Sequence, residues 1–410
     1  MLAYRWWIVL LSFFTLAVSR GMQATFTVFY PVLADTFHWS RASTAGIFSL
    51  GIIVDGIASP LTGVLVDRFG PRKVLPLGGI LLAGGFFLAA GTTAQWHLYL
   101  GYGVVASVGM SFIGMVPHGA VLSRWFLRQR GTAIGIGYSG AAIGILIFAP
   151  LSQYLISLVG WRQAFVVLGM MAVVLVIPAT PFYRWPRPDE VEKVPSEPVT
   201  RGPRSNGLSA QEWTTAKALR NLQFWLLFGS RILAAMGVQA VVTHQVAHVA
   251  AVGYSQMTAA AIFGLMGVFS IAGRILFGVI SDFTRRENAF TLNVGIAILG
   301  VVALMLVRGP GSLGLLYTYS ILYGLAYGSR AILYSAISAD LFSGASFGSI
   351  YGFFNVSIGI GGAIGSWFGG FVFDQTGSYL LSFALGIAAL IAADLSLLLA
   401  FRHRHGTYKT

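Results

Sequence analysis

Gly63-Val64-Leu65-Val66-Asp67-Arg68-Phe69-Gly70-Pro71-Arg72-Lys73 is a short basic turn between two long apolar runs, and the chain repeats it. The second copy, Gly278-Val279-Ile280-Ser281-Asp282-Phe283-Thr284-Arg285-Arg286, starts 215 residues later in a chain of 410. Each half therefore carries one copy at the end of an apolar segment. The same polar chemistry at the same place in two halves implies a duplicated membrane bundle, an arrangement expected of transporters.

The composition agrees. The chain is 56% hydrophobic and 10% charged, with mean hydropathy +0.77, whereas a water-soluble protein of this length needs a far more charged surface. Apolar runs of about 20 residues recur, each long enough to cross a bilayer as a helix. The alternation of short barrel strands is absent. We read an all-α membrane protein with twelve spans, at roughly 6–32, 43–66, 74–93, 97–122, 131–155, 162–182, 221–250, 257–281, 289–307, 314–339, 347–372 and 379–401.

The one long hydrophilic stretch, 183–220, is rich in proline, glycine and mixed charge, as a linker is. It divides the chain into a six-helix bundle at 1–182 and a second, pseudo-symmetric one at 221–402, with a tail at 403–410. Gln23-Ala24 and Thr27 have counterparts in Gln239-Ala240 and Thr243, and Gly144 has one in Gly361. Of the 26 Lys and Arg, Arg20, Arg231, Arg274 and Arg330 lie inside spans. Only Arg41, Arg162 and Arg308 fall on one side, and all the others fall on the side of the termini. The positive-inside rule then places both termini in the cytoplasm and explains the basic charge as topology, with no nucleic-acid partner implied. The N-terminus shows no small-residue cleavage site and reads as helix 1. There are no cysteines. An enzyme is the least expected class, and no nucleotide loop appears, so ATP-driven transport is not indicated either.

Gly63-x-x-x-Asp67-Arg68-x-Gly70-x-Arg72-Lys73 resembles the cytoplasmic signature of the major facilitator superfamily, and the twelve spans with a long central loop extend the likeness to the whole chain. A narrower likeness runs through Arg124 to Arg130-Gly131, Gly135, Ser139-Gly140, Gly144, Ala149-Pro150 and Gly160-Trp161-Arg162. These segments look like the monocarboxylate porters and their oxalate:formate antiporter relatives. The resemblance implies a monomeric secondary transporter of the bacterial inner membrane, working by alternating access and without a cofactor. It also implies that Arg274, in helix 8, faces the central cavity and binds a substrate carboxylate. A guanidinium suits that task because it stays charged and donates two parallel hydrogen bonds. Asp67, Arg68, Arg72 and Asp282 then form a cytoplasmic latch of charge-assisted bonds between helix ends.

Ionisable groups inside the membrane are costly and mark function. Arg20 and Asp55 lie near the middle of spans 1 and 2. They are either a plain ion pair or the proton carrier, since a dry site favours a neutral carboxyl and a nearby arginine opposes this. Arg330 either faces the cavity, giving a site able to take a dianion, or pairs with Asp394 at similar depth; we expect the pairing. The chain departs from the porters at Ser270, where they carry an aspartate, and in the stretch Met22-Gln23-Ala24-Thr25, where they carry a lysine. The antiporters' lysine in helix 11 is Ile358 here. His244 and His248 stand one turn apart with no third ligand evident, so a metal is not expected, and His118 shows no obvious partner. Gln23, Thr27, Tyr30, Tyr138, Gln239, His244, Tyr327 and Asn355 complete the candidate pocket. The expectation is transport of a small monocarboxylate, such as lactate or pyruvate, together with a proton. The alternatives are proton-independent exchange of organic anions, dicarboxylates or aromatic acids included, and a carboxylate sensor that moves nothing.

Overall fold

The computed structural model describes residues 2–126, 130–187, 190, 213–342 and 347–406; most of the linker and the side chains of Asp282 and Asn355 lie outside the described residues. The helices are α1 (Leu2–Phe37), α2 (Arg41–Phe69), α3 (Pro71–Ala90) and α4 (Gln95–Trp125). The helical run Arg130–Val176 turns back at Gly160, whose φ of 78° lies in the left-handed region that glycine adopts without strain. We number its two limbs α5 (130–159) and α6 (161–176). The second half holds α7 (Leu222–Ala251), α8 (Gln256–Phe283), α9 (Arg286–Met305), α10 (Leu313–Leu341), α11 (Phe347–Thr376) and α12 (Leu380–Gly406). Ten helical runs among the described residues are long and apolar enough to cross a membrane. One of them is the run folded at Gly160, and α10, at 29 residues, stands beside them with comparable length.

The repeat reaches the helix starts. Ser40 accepts from the Ser43 N–H (3.1 Å) to cap α2, and Ser255 accepts from the Thr258 N–H (3.0 Å) to cap α8. The two serines are 215 residues apart, the offset of the repeated turn. Each cap satisfies an orphan donor and contributes about 1 kcal/mol.

Small residues set the packing. α5 lies on α1 so closely that a Cβ on Gly144 would fall 2.0 Å from the Ala17 carbonyl oxygen. Its counterpart Gly361, on α11, holds α7 equally close, with 2.1 Å to the Ile232 oxygen. Such contacts between backbones are the usual glue of membrane helices, where lipid removes the hydrophobic drive for association. The outer surface fits that solvent: Phe14, Ile80, Leu158, Val174, Leu299 and Leu395 are each more than half exposed. Across the halves α2 meets α11 and α5 meets α8.

On the face that carries the chain termini, Arg124 at the end of α4 pairs with Asp67 (2.8 Å). In the second half Arg286, at the start of α9, pairs with Asp340 at the end of α10 (3.2 Å). Acid and base have exchanged places between the two copies. Both pairs are partly exposed, which limits each to about 0–1 kcal/mol. Arg68 lies over the Phe69 ring and Arg72 is exposed. Just beyond α6, Arg184 forks onto Glu190 and stacks over Tyr4 and Trp125, and the Trp125 indole donates to the Arg184 carbonyl (2.9 Å).

Candidate functional site

A cavity of about 760 Å³ lies between the halves. Its walls run along α2 from Phe48 to Gly63 and along α10 from Tyr327 to Tyr334, so it occupies the middle of the bundle and extends from there toward the face of the termini. Small and apolar residues of α5, α7, α8 and α11 line most of it, among them Ala142, Ile145, Val238, Phe263 and Gly359. Set into this surface are four guanidinium groups, Arg20, Arg231, Arg274 and Arg330, against one carboxylate, Asp55, among the described residues.

Arg20 and Asp55 meet because α1 and α2 run antiparallel and both residues lie near mid-helix. Arg20 Nη1 is 3.2 Å from Asp55 Oδ2 and donates to Gln23 Oε1 at 2.7 Å. A π-helical stretch in α4, Tyr99–Ala106, carries Tyr102, whose hydroxyl donates to the Gln23 carbonyl (2.9 Å). Asp55 Oδ1 has no protein partner among the described residues. Arg274 crosses the gap between halves: its Nη1 donates to the Tyr138 carbonyl on α5 at 3.1 Å. Tyr327 on α10 lines the same cavity as Arg274, Arg20 and Arg330. Arg231 lies over the Tyr334 and Phe354 rings.

The structure thus gathers Arg20, Gln23, Thr27, Asp55, Gln239, Arg274 and Tyr327 around one cavity. Gln23 and Gln239 enter it as repeat-related partners from α1 and α7. The Thr27 hydroxyl is spent on the Ala24 carbonyl (2.8 Å). Tyr138 supplies its carbonyl, while its hydroxyl donates to the Met115 carbonyl (2.7 Å). Three expected site residues stand outside the cavity lining, Tyr138 among them. α7 is interrupted at Thr243–His244, which turns the His244 ring onto the Ser366 carbonyl (2.8 Å) and Tyr379, away from the cavity. Tyr30 is fully buried beside it and shares a hydrogen bond with the Tyr379 hydroxyl (3.2 Å). Asn355 and Asp282 have side chains outside the described residues.

Two further expectations are corrected. Asp394 does not pair with Arg330; it accepts from Thr291 Oγ1 (2.9 Å), and Arg330 points into the cavity, because depth along a helix does not fix rotation about it. His118 is partnered: one ring nitrogen is 2.7 Å from the Gly114 carbonyl and the other 3.2 Å from the Tyr183 hydroxyl.

Sequence reasoning missed the closure of the far face. The Asp374 carboxylate at the end of α11 accepts from the backbone N–H groups of Arg41 and Ala42, both at 2.7 Å, and so caps α2 from the other half. The Arg41 side chain pairs with Asp35 and lies over the Tyr30 and Phe373 rings. Ser49 donates to the Ala363 carbonyl (2.8 Å) one layer deeper. The one legible signal was Arg41 with two acids, Asp35 and Asp374, on a face that carries few charges.

The sequence profile of the Major Facilitator Superfamily matches residues 9–332. Among individual relatives, the chain is 28% identical to monocarboxylate transporter 13 of Bos taurus, over 95% of this chain and 87% of that one. It is 27% identical to monocarboxylate transporter 11 of Homo sapiens, over 95% and 81%. Among solved structures, a variant of the nucleoside transporter NupG superposes with TM-score 0.74 at 16% identity, covering 97% of this chain and all (100%) of that one. An inward-facing, occupied bacterial homologue of the human lysosomal transporter Spinster does so with TM-score 0.70 at 16% identity, covering 97% of each. Profile, relatives and fold agree with the cavity between two packed halves: the chain belongs to the Major Facilitator Superfamily, a family of transporters and not of enzymes.

Proposed function

We propose that the protein carries carboxylate anions of the lactate or pyruvate type across the bacterial inner membrane by alternating access, with a proton, as a monomer. The excess of Lys and Arg on the termini face sets that face in the cytoplasm. On that reading the cavity opens inward, the Asp374 cap closes the outside, and the halves 1–182 and 221–402 rock about the site. Asp67, Arg68, Arg72 and Asp282 then belong to the ends that approach one another when the inside closes.

The observation that carries the reading is Arg274, a guanidinium in the cavity that spans both halves through the Tyr138 carbonyl. A neutral carbonyl is a weaker partner than a carboxylate, so an entering anion takes over the fork. Gln23, Thr27, Gln239 and Tyr327 lie around that anion. Asp55 binds and releases the proton, and the anion's pull on Arg20 couples the two events. The similarity to monocarboxylate transporters supports the substrate class.

The test is uptake of radiolabelled L-lactate into proteoliposomes with and without an inward proton gradient. Gradient-driven uptake is expected for the wild type and none for Arg274→Gln. Normal uptake by that variant overturns the assignment. Counterflow at zero pH gradient without proton movement would move the protein to the exchange mechanism.

A further inference from the structure

We propose that the cavity holds a second anion subsite at Arg330, so that its preferred substrates carry another acidic group beyond the carboxylate taken by Arg274. The inference rests on the reading of Arg274 given above and narrows the substrate class of that same site.

Arg330 lies on α10, one turn beyond Tyr327, and lines the cavity. Its side chain is 7% exposed, yet Nε, Nη1 and Nη2 all lack a hydrogen-bond partner among the described residues. A buried guanidinium with every donor idle is an expensive arrangement. The acid at similar depth that would relieve it, Asp394, is turned to Thr291. What Arg330 has instead is the face of Tyr323, 6.0 Å from its Cζ, and an opening into the cavity. The group thus has Tyr323 beside it but no carboxylate among the described residues, and it lines the cavity.

Charge balance points the same way. Asp55 answers Arg20. Arg231 lies over the Tyr334 and Phe354 rings; a single carboxylate at Arg274 then leaves the Arg330 charge unanswered, and a second carboxylate on the same molecule answers it. Arg274, Tyr327 and Arg330 line the same cavity, so one ligand seated there meets both arginines. The largely apolar lining of the cavity suits a short hydrocarbon linker.

The test uses the purified full chain in detergent and isothermal titration with two matched series. The dicarboxylates are malonate, succinate, glutarate and adipate; the monocarboxylates are propionate, butyrate, valerate and hexanoate. At least one dicarboxylate should bind about tenfold or more tightly than its partner of equal carbon number, as a charged hydrogen-bonded contact provides. Arg330→Gln should remove that advantage and leave monocarboxylate affinity within about twofold, which also reports that the variant is folded. Arg330→Lys should restore part of it. If no dicarboxylate gains over its partner, or if Arg330→Gln weakens both series equally, the subsite is overturned. Arg274→Gln separates the two readings: loss of monocarboxylate binding there, without any dicarboxylate advantage in the wild type, keeps Arg274 and discards Arg330. Unchanged monocarboxylate binding in Arg274→Gln discards the Arg274 reading, and the subsite is then judged on the ratio between the series alone.

Discussion

The bond between Asp374 and the start of α2 joins the two halves at the far face, so any conformation open on that side must break it. Its two carboxylate oxygens each accept a backbone N–H at 2.7 Å, from Arg41 and Ala42. A hydrogen bond to a charged group contributes about 1.5–3 kcal/mol net, and a negative charge at a helix N-terminus adds about 0.3–1 kcal/mol. The site is partly exposed, so the lower values apply. Asp374→Asn keeps one acceptor and loses the other, along with the charge. That removes about 2 kcal/mol from the closed state, or about 30-fold in the equilibrium between states. The chain has no cysteine, so a single reporter can be placed cleanly. Ala45 lies one turn inside the cap on the side of α2 that meets α11, and is 0% exposed. Labelling of Ala45→Cys by a soluble maleimide should therefore quicken by about 30-fold when Asp374→Asn is added. Rates equal within about twofold would refute the idea that this cap holds the far face shut.

Other outcomes follow from the same geometry. Asp55→Asn should abolish uphill uptake driven by a proton gradient while substrate exchange at equal pH continues; persistent gradient-driven uptake would remove Asp55 from proton coupling. Gly144→Val puts a branched side chain where a Cβ already lies 2.0 Å from the Ala17 oxygen, so thermal unfolding should show a loss of at least about 1–3 kcal/mol; an unchanged midpoint would mean that α1 and α5 separate freely. Arg184, and after it the Arg187 N–H, lowers the Glu190 carboxyl from 4.5 to about 2. A lowered acid stabilises above its ordinary value and loses that contribution as pH falls toward about 2. A carbon-13 titration of Glu190 should show it ionised at pH 3.5, and a midpoint near 4.5 would break the assignment.

Much of the architecture was readable in advance because it rests on local signals. The repeated turn at Asp67 and Asp282, the length of the apolar runs and the side preferred by Lys and Arg each need only a few neighbouring residues. The Arg20–Asp55 pair was readable too, since consecutive antiparallel helices put equal depths side by side. What a single sequence lacks is rotation about each helix axis. Arg330 and Asp394 share a depth and still face different ways. His244 sits on the right helix, but the interruption after Val242 turns it toward α11. The clasp between Arg41, Ala42 and Asp374 joins residues more than 300 apart through backbone donors, which have no residue type to announce them.

The imbalance of guanidinium over carboxylate in the cavity has an electrical consequence. Those charges are fixed to helices, and in the proposed cycle the side from which water reaches them changes as the halves rock, so the membrane voltage would do work on the empty protein. A unit charge carried through the whole field is worth about 2.3 kcal/mol per 100 mV; even a fraction of that, applied to an unneutralised wall, draws the empty cavity toward the negative interior. An anion seated on the wall cancels the pull. Voltage would then act on the return of the empty carrier more than on the loaded step. Voltage jumps on oriented membranes should show a brief capacitive current without substrate that shrinks as substrate is added, and a current indifferent to substrate would mean that the wall does not move through the field.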